Sequence, residues 1–246
     1  MIENLLRPGE SLDDLLINNL KIIQADDEFR FSLDAVLVAH FATLRKSAAV
    51  VDLGAGTGVI GLLLSALGAS KVVGVEINAR MAEMAGRSIK LNNLDECVEI
   101  INADFRSLKG VISAGKYDLV VSNPPYRPVG QGLINPNDGV ASARHEINAT
   151  LDNVVKAAKY LLKYRGRFAM VHLPERMAEI LSAMSGTGIE PKRLRLVHPA
   201  LGKKPNILLV EGVLGAKPGL DVLEPLFVYN ADGSYTEEIL AYYRSQ

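Results

Sequence analysis

Residues 50–58 read Val-Val-Asp-Leu-Gly-Ala-Gly-Thr-Gly, an apolar run that ends in three glycines at alternate positions. The run has the length and β-branched content of a buried strand, and residues 59–67 continue as a helix. Gly54, Gly56 and Gly58 therefore lie on a strand-to-helix turn, where missing side chains let a ligand approach the backbone and the helix N-terminus offers free N–H groups. Such a turn belongs at the carboxyl edge of a parallel sheet. The chain beyond residue 48 agrees, because short apolar runs alternate there with helical stretches. Strands are expected at 49–53, 71–76, 98–102, 117–122, 167–172, 193–198 and 207–213. Helices are expected at 59–67, 79–93, 151–164 and 175–185, with a short piece at 105–114.

Only residues 199–206 separate the last two expected strands, too few for a crossover helix, so the seventh strand should run antiparallel to the sixth. Ahead of the sheet, residues 1–19 form a weakly specified lead-in. Residues 21–24 and 29–31 read as a hairpin around the turn 25–28, and Ser32 caps a helix over 33–44. Residues 1–47 are expected to form a small brace on a main domain of 48–246, the two making one structural unit. Residues 127–148 form a long connection rich in Gly and Pro, of the kind that is usually functional. The tail reads as a hairpin, from 226–229 through Asp232-Gly233 to Tyr235, before a helix capped by Thr236.

The glycines alone leave the ligand open, since residues 56–61 also fit the dinucleotide fingerprint G-x-G-x-x-G. Glu76, at the end of the second strand, suits two ribose hydroxyls in either case. Asn123-Pro124-Pro125-Tyr126 breaks the tie. Two prolines cannot continue a central strand, and they fix the local backbone. The Asn123 side-chain oxygen and the Pro124 carbonyl can then be held as two acceptors for one planar amino group. Tyr126 supplies an aromatic face for a flat base.

These residues resemble the class I S-adenosylmethionine-dependent methyltransferases, and among them the N6-adenine and glutamine group that carries Asn-Pro-Pro-Tyr. The resemblance implies a Rossmann-like α/β fold with a seven-stranded, mostly parallel sheet and an antiparallel last strand. It implies that Asp52, Gly54, Gly56 and Gly58 wrap the methionine part of S-adenosylmethionine, that Glu76 holds its ribose, and that Asp104 with Phe105 holds its adenine. Asn123 would touch both cofactor and substrate, with Pro124 and Tyr126 completing the catalytic set. The chain is also similar to bacterial methyltransferases of the anticodon-adjacent adenine of valine tRNA. That likeness covers residues 29–35, residues 143–146 in the long connection, and His198-Pro199, besides the core motifs.

Residues 140–205 carry 12 Lys/Arg against 5 Asp/Glu within a chain whose net charge is −1; such a basic stretch could meet a polyanion or simply solvate a surface face. Arg144, Lys203 and Lys204 are the candidate phosphate contacts. Single Cys97 excludes a disulfide framework and a cysteine zinc cluster, the four histidines lack ligand spacing, and no metal is expected. No stretch reaches the ~18 apolar residues of a membrane span and the first residues do not resemble a signal peptide, which reads as a cytoplasmic protein. Three alternatives remain at this point: methylation of a glutamine amide in a protein, an RNA-binding protein that keeps the fold without turnover, and, more remotely, an NAD-dependent reductase.

Overall fold

The computed structural model describes residues 5–28, 30–126 and 149–244. Its chain begins with a hairpin of β1 (Glu10–Asp14) and β2 (Lys21–Ala25), followed by α1 (Leu33–Phe41). The alternating region gives β3 (Ala49–Leu53), α2 (Val59–Ala66), β4 (Lys71–Glu76), α3 (Ala79–Leu91), β5 (Val98–Asn102) and β6 (Tyr117–Ser122). Then come α4 (Leu151–Leu161), β7 (Leu162–His172), α5 (Met177–Thr187), β8 (Ile189–Ala200) and β9 (Ile207–Leu214). Short β10 (Asp221–Val222), β11 (Leu226–Tyr229) and α6 (Glu237–Tyr242) close the described chain.

The main sheet runs β10-β8-β9-β7-β6-β3-β4-β5, with β11 also pairing along β8. From β7 to β5 every pairing is parallel, and β9 is antiparallel to both β7 and β8. The fold is thus the Rossmann-like α/β sheet read from the sequence, extended by two short edge strands. Helices cover both faces, which is why the central strands are apolar throughout rather than alternating. On one face Val50, Leu119, Val121, Ala169 and Leu209 meet α1 and α2. On the other, Val51, Leu53, Val120, Phe168 and Met170 meet α4 and α5.

The N-terminal hairpin differs from its sequence reading. β2 pairs with the preceding residues 10–14, and residues 30 and 31 of the expected returning strand lie in no strand. Acidic Glu-Ser-Leu-Asp-Asp is a poor strand former by composition; the pairing is made by its partners. Arg87 of α3 grips both oxygens of Glu10 at 2.7 Å, and Arg30 meets Asp13 at 2.5 Å. The free edge of β2 is satisfied by α3, with Ile23 N donating to Ser88 Oγ (2.9 Å) and Lys21 N to Asn92 Oδ1 (2.9 Å).

Other boundaries moved as well. The helix expected over 33–44 ends at Phe41, and the piece at 105–114 is a single 3-10 turn at Phe105–Ser107. The helix expected to reach residue 164 stops at Leu161, because β7 starts at once and then bulges: Tyr117 pairs with Leu162, but Leu119 pairs with Arg167. Gly166 is required inside that bulge, since a Cβ there would sit 2.8 Å from the Lys163 carbonyl and 3.0 Å from that of Tyr117.

One buried acid fastens the sheet to α1. Glu211 of β9 is fully buried and accepts from Thr43 N (2.6 Å), Thr43 Oγ1 (2.8 Å) and the Arg167 guanidinium (2.6 Å). Arg167 keeps 24% of its side chain exposed, so removing Glu211 strands a partly solvated cation and the Thr43 donors, at about 1–3 kcal/mol. Glu211→Ala is therefore expected to lower the unfolding free energy by roughly that amount, measured by urea denaturation. A loss under about 1 kcal/mol, the worth of an exposed pair, would contradict this.

Candidate active site

Because β3, β4, β5 and β6 are parallel, their carboxyl ends share one edge, where ligands of open α/β sheets bind. The β3–α2 turn lies there. Gly54, Gly56 and Gly58 have φ of 76°, 57° and 85°, the left-handed region that L side chains avoid. Gly54 borders open space, whereas a Cβ on Gly58 would come 3.1 Å from that of Ala85 in α3. One glycine thus opens the backbone and another lets two helices close.

Glu76 ends β4 and is only 6% exposed. One carboxylate oxygen accepts from Gly56 N (2.7 Å), the other from Asn78 N (2.7 Å). Burial raises its pKa, opposed by these two amides. Each oxygen keeps a second lone pair for a ligand hydroxyl. Asn102, which the sequence did not single out, holds the same corner by donating to the Glu76 and Ile77 carbonyls at 2.8 and 3.0 Å.

Asp52 is wholly buried, and neither carboxylate oxygen has a hydrogen-bond partner among the described residues. Burial, with the nearby Glu76 charge, pushes its pKa up to about 8. An orphaned acid beside a second buried acid fits a ligand that carries positive charge and N–H donors.

Ser122, the last residue of β6, donates to the Leu53 carbonyl at 2.8 Å, tying the start of Asn123-Pro124-Pro125-Tyr126 to the start of the glycine turn. Asn123 is half-buried, and its carboxamide makes no hydrogen bond among the described residues. Pro124 is buried and Pro125 exposed. The Tyr126 hydroxyl donates to Asp34 Oδ2 in the first turn of α1, and its ring tilts against His172 at a centroid distance of 5.2 Å. Burial, then the Asp34 charge, hold the phenol protonated far above its ordinary range. His172 is pushed down to about 4, by burial first and the Arg176 charge second, so it is neutral at pH 7. No sequence feature marks Asp34 or His172 as partners of Tyr126. Their meeting at Tyr126 is a long-range contact without local signal.

Asp104 caps the 3-10 turn after β5, and Arg106 beside it holds its carboxyl below the usual range. Phe105 is half-buried against the α4 side of the core. Lys203 and Lys204 are exposed in the β8–β9 turn, on the same sheet edge but three strands from β6. Arg144 lies outside the described residues, as do residues 29 and 143–146 of the matched motifs. Among the described residues, no group of three or more His, Cys, Asp or Glu could hold a metal, and no helix is long and apolar enough to cross a membrane.

Residues 32–186 match the methyltransferase small domain family. A tRNA1(Val) (adenine(37)-N6)-methyltransferase of Bacteroides fragilis is 29% identical over 177 residues, 72% of this chain and 74% of that protein. Among solved structures, a predicted O-methyltransferase from Agrobacterium tumefaciens superposes with a TM-score of 0.68 at 21% identity, covering 87% of this chain and 99% of that one. A geranyl diphosphate C-methyltransferase from Streptomyces coelicolor A3(2), in complex with Mg2+, geranyl diphosphate and S-adenosyl-L-homocysteine, superposes at 0.57 with 14% identity, over 73% and 77% of the two chains. At such identities the structural likeness speaks for the fold.

Asp52 gives the ligand-free protein a defined pH dependence. The folded chain keeps its proton to about 8 while the unfolded chain releases it near 3.8. Between these values the folded state binds more protons, so stability falls as pH rises. Asp52→Asn should flatten this part of the profile, measured as Tm from pH 4 to 9. An unchanged slope would mean that Asp52 is ionised in the folded state.

Proposed function

The chain belongs to the methyltransferase small domain family, and on that premise we propose that it transfers a methyl group from S-adenosylmethionine to the N6 amine of an adenine in tRNA, the anticodon-adjacent adenine of valine tRNA, in the cytoplasm. The observation that carries this reading is Asn123-Pro124 at the carboxyl edge, joined to the glycine turn through the Ser122–Leu53 hydrogen bond and followed by an anchored aromatic ring. The named activity of the Bacteroides fragilis relative supports the adenine and the tRNA.

S-adenosylmethionine, when bound, supplies an electrophilic methyl on a sulfonium. Asp52, with Gly54, Gly56 and Gly58, would face its methionine part, where an unpartnered acid favours an ammonium. Glu76 would take its ribose hydroxyls, and Asp104 with Phe105 its adenine. These buried acids also favour a cationic donor over a neutral one.

An adenine amino group is a poor nucleophile because its lone pair is delocalised into the ring. The Asn123 carboxamide oxygen and the Pro124 carbonyl accept its two hydrogens and favour a more pyramidal nitrogen, so that holding it becomes proximity to the methyl. The leftover proton departs to water after transfer. A base in structured RNA must first leave its stack, and Tyr126 replaces that stacking. Asp34 acts through Tyr126: its carboxylate fixes the ring by a charge-assisted hydrogen bond.

Label from methyl-labelled S-adenosylmethionine is expected in N6-methyladenosine when unmodified tRNA and a release-factor mixture are offered side by side. Label in protein glutamine alone would replace the substrate. Asn123→Ala should cost about a hundredfold or more in transfer with cofactor affinity largely kept, and Glu76→Ala should weaken the cofactor instead. Calorimetry giving the opposite pattern would reverse the two roles. Asp34→Asn removes the charge on the phenol partner and should slow transfer about tenfold, with unchanged cofactor affinity.

A further inference from the structure

The His198-Pro199 pair and the aromatic tail have no part in the site just described, yet they meet at one place. β8 is parallel to β7, since both are antiparallel to β9, so β8 ends on the same sheet edge as Asn123. There the His198 ring does two things. Its Nδ1 lies 2.6 Å from the Lys203 carbonyl, and its face packs on Phe227 with centroids 5.4 Å apart. Lys203 N also donates to the Ala200 carbonyl at 3.1 Å. The turn is therefore held from both sides, and it presents Leu201, 83% exposed, with Lys203 and Lys204, neither in an ion pair among the described residues.

β11 continues this edge. Its register sets Phe227 opposite His198 and Tyr229 opposite Ala200. Tyr229 stacks on Tyr235 (5.1 Å, 13°), which stacks on Tyr243 (6.4 Å, 23°), and the first two remain 40% and 37% exposed. The acids nearby are engaged: Glu238 pairs with Arg195, Glu237 with Arg244, and Asp232 accepts from Ser234. At the usual spacing of about 4.8 Å between strands, β8 lies about 14 Å from β6 and β11 about 19 Å.

Lysines without an ion pair among the described residues, beside exposed, mutually parallel aromatic rings, match single-stranded nucleic acid, which needs cations for phosphates and flat faces for bases. A protein interface is by contrast depleted in lysine. We infer that this rim, made of the 201–206 turn and the Tyr229–Tyr235 stack, grips the RNA strand that flanks the acceptor adenine. Lys203 and Lys204 take its phosphates and Tyr229 stacks on one of its bases. The inference rests on the proposed tRNA substrate.

The test is binding of fluorescent, unmodified valine tRNA from 50 to 200 mM salt, with cofactor calorimetry on the same full-length variants as a check on folding. The double variant Lys203→Gln/Lys204→Gln should bind more weakly, with the slope of log affinity against log salt smaller by about 1.5–2, as for two lost phosphate contacts. Tyr229→Ala should weaken binding about tenfold while Tyr229→Phe stays near wild type, because the phenyl face is enough. Cofactor affinity should be unchanged in all three. If wild type binds and methylates tRNA and the lysine variant matches it in affinity and slope, the rim serves another partner and the inference falls alone. If Tyr229→Phe is as weak as Tyr229→Ala, the stacking role falls. If wild type neither binds nor methylates tRNA, the proposed substrate falls and takes the rim with it.

Discussion

The ligand-facing edge depends on one buried carboxylate. Glu76 sits where β4 stops, and the amides it accepts belong to different elements: Gly56 to the turn that leads into α2, and Asn78 to the cap of α3. A group that joins two helix starts fixes their relative position, and with it the shape of whatever lies between them. The cost is a negative charge held out of water, offset only partly by two N–H groups. Asp52 adds a second acid with no such help. The site is thus built around electrostatic discomfort, which a ligand of the right charge relieves.

A second joint sets the substrate side. Ser122 couples β6 to β3, Asp34 couples the Tyr126 ring to α1, and Glu211 couples the far end of α1, through Thr43, to β7 and β9. Helix α1 therefore spans from the aromatic ring to the middle of the sheet. Its own sequence is almost wholly apolar, and its position depends on polar anchors at its two ends.

What the sequence revealed follows a physical division. Strands 49–53, 71–76, 98–102 and 117–122 were legible to the residue, because a strand buried on both faces must be an apolar run and polar or turn residues mark where burial ends. The glycine turn and Asn123-Pro124 were legible because backbone conformation restricts residue type. The β1 strand was not: its stability comes from Arg87 and Arg30, 77 and 17 residues away from their acidic partners. The end of α4 at Leu161 was hidden because apolar spacing continues through Leu162 into β7. Glu211 was hidden in an apolar run, and the contact of Asp34 with Tyr126 joins positions 92 apart. Pattern reports local burial; pairings across the fold leave no periodic trace.

The seam between β2 and α3 has a consequence for local opening. Ile23 and Lys21 donate their amides to side chains of α3, and Arg87 on the same helix clasps Glu10. The hairpin cannot lift away unless α3 gives up these bonds, and α3 is capped by Asn78, whose amide is held by Glu76. Anything that steadies Glu76 therefore raises the free energy of opening at the hairpin. The amide of Ile23, remote from the glycine turn in sequence, becomes a slow-exchange reporter of whether that turn is filled.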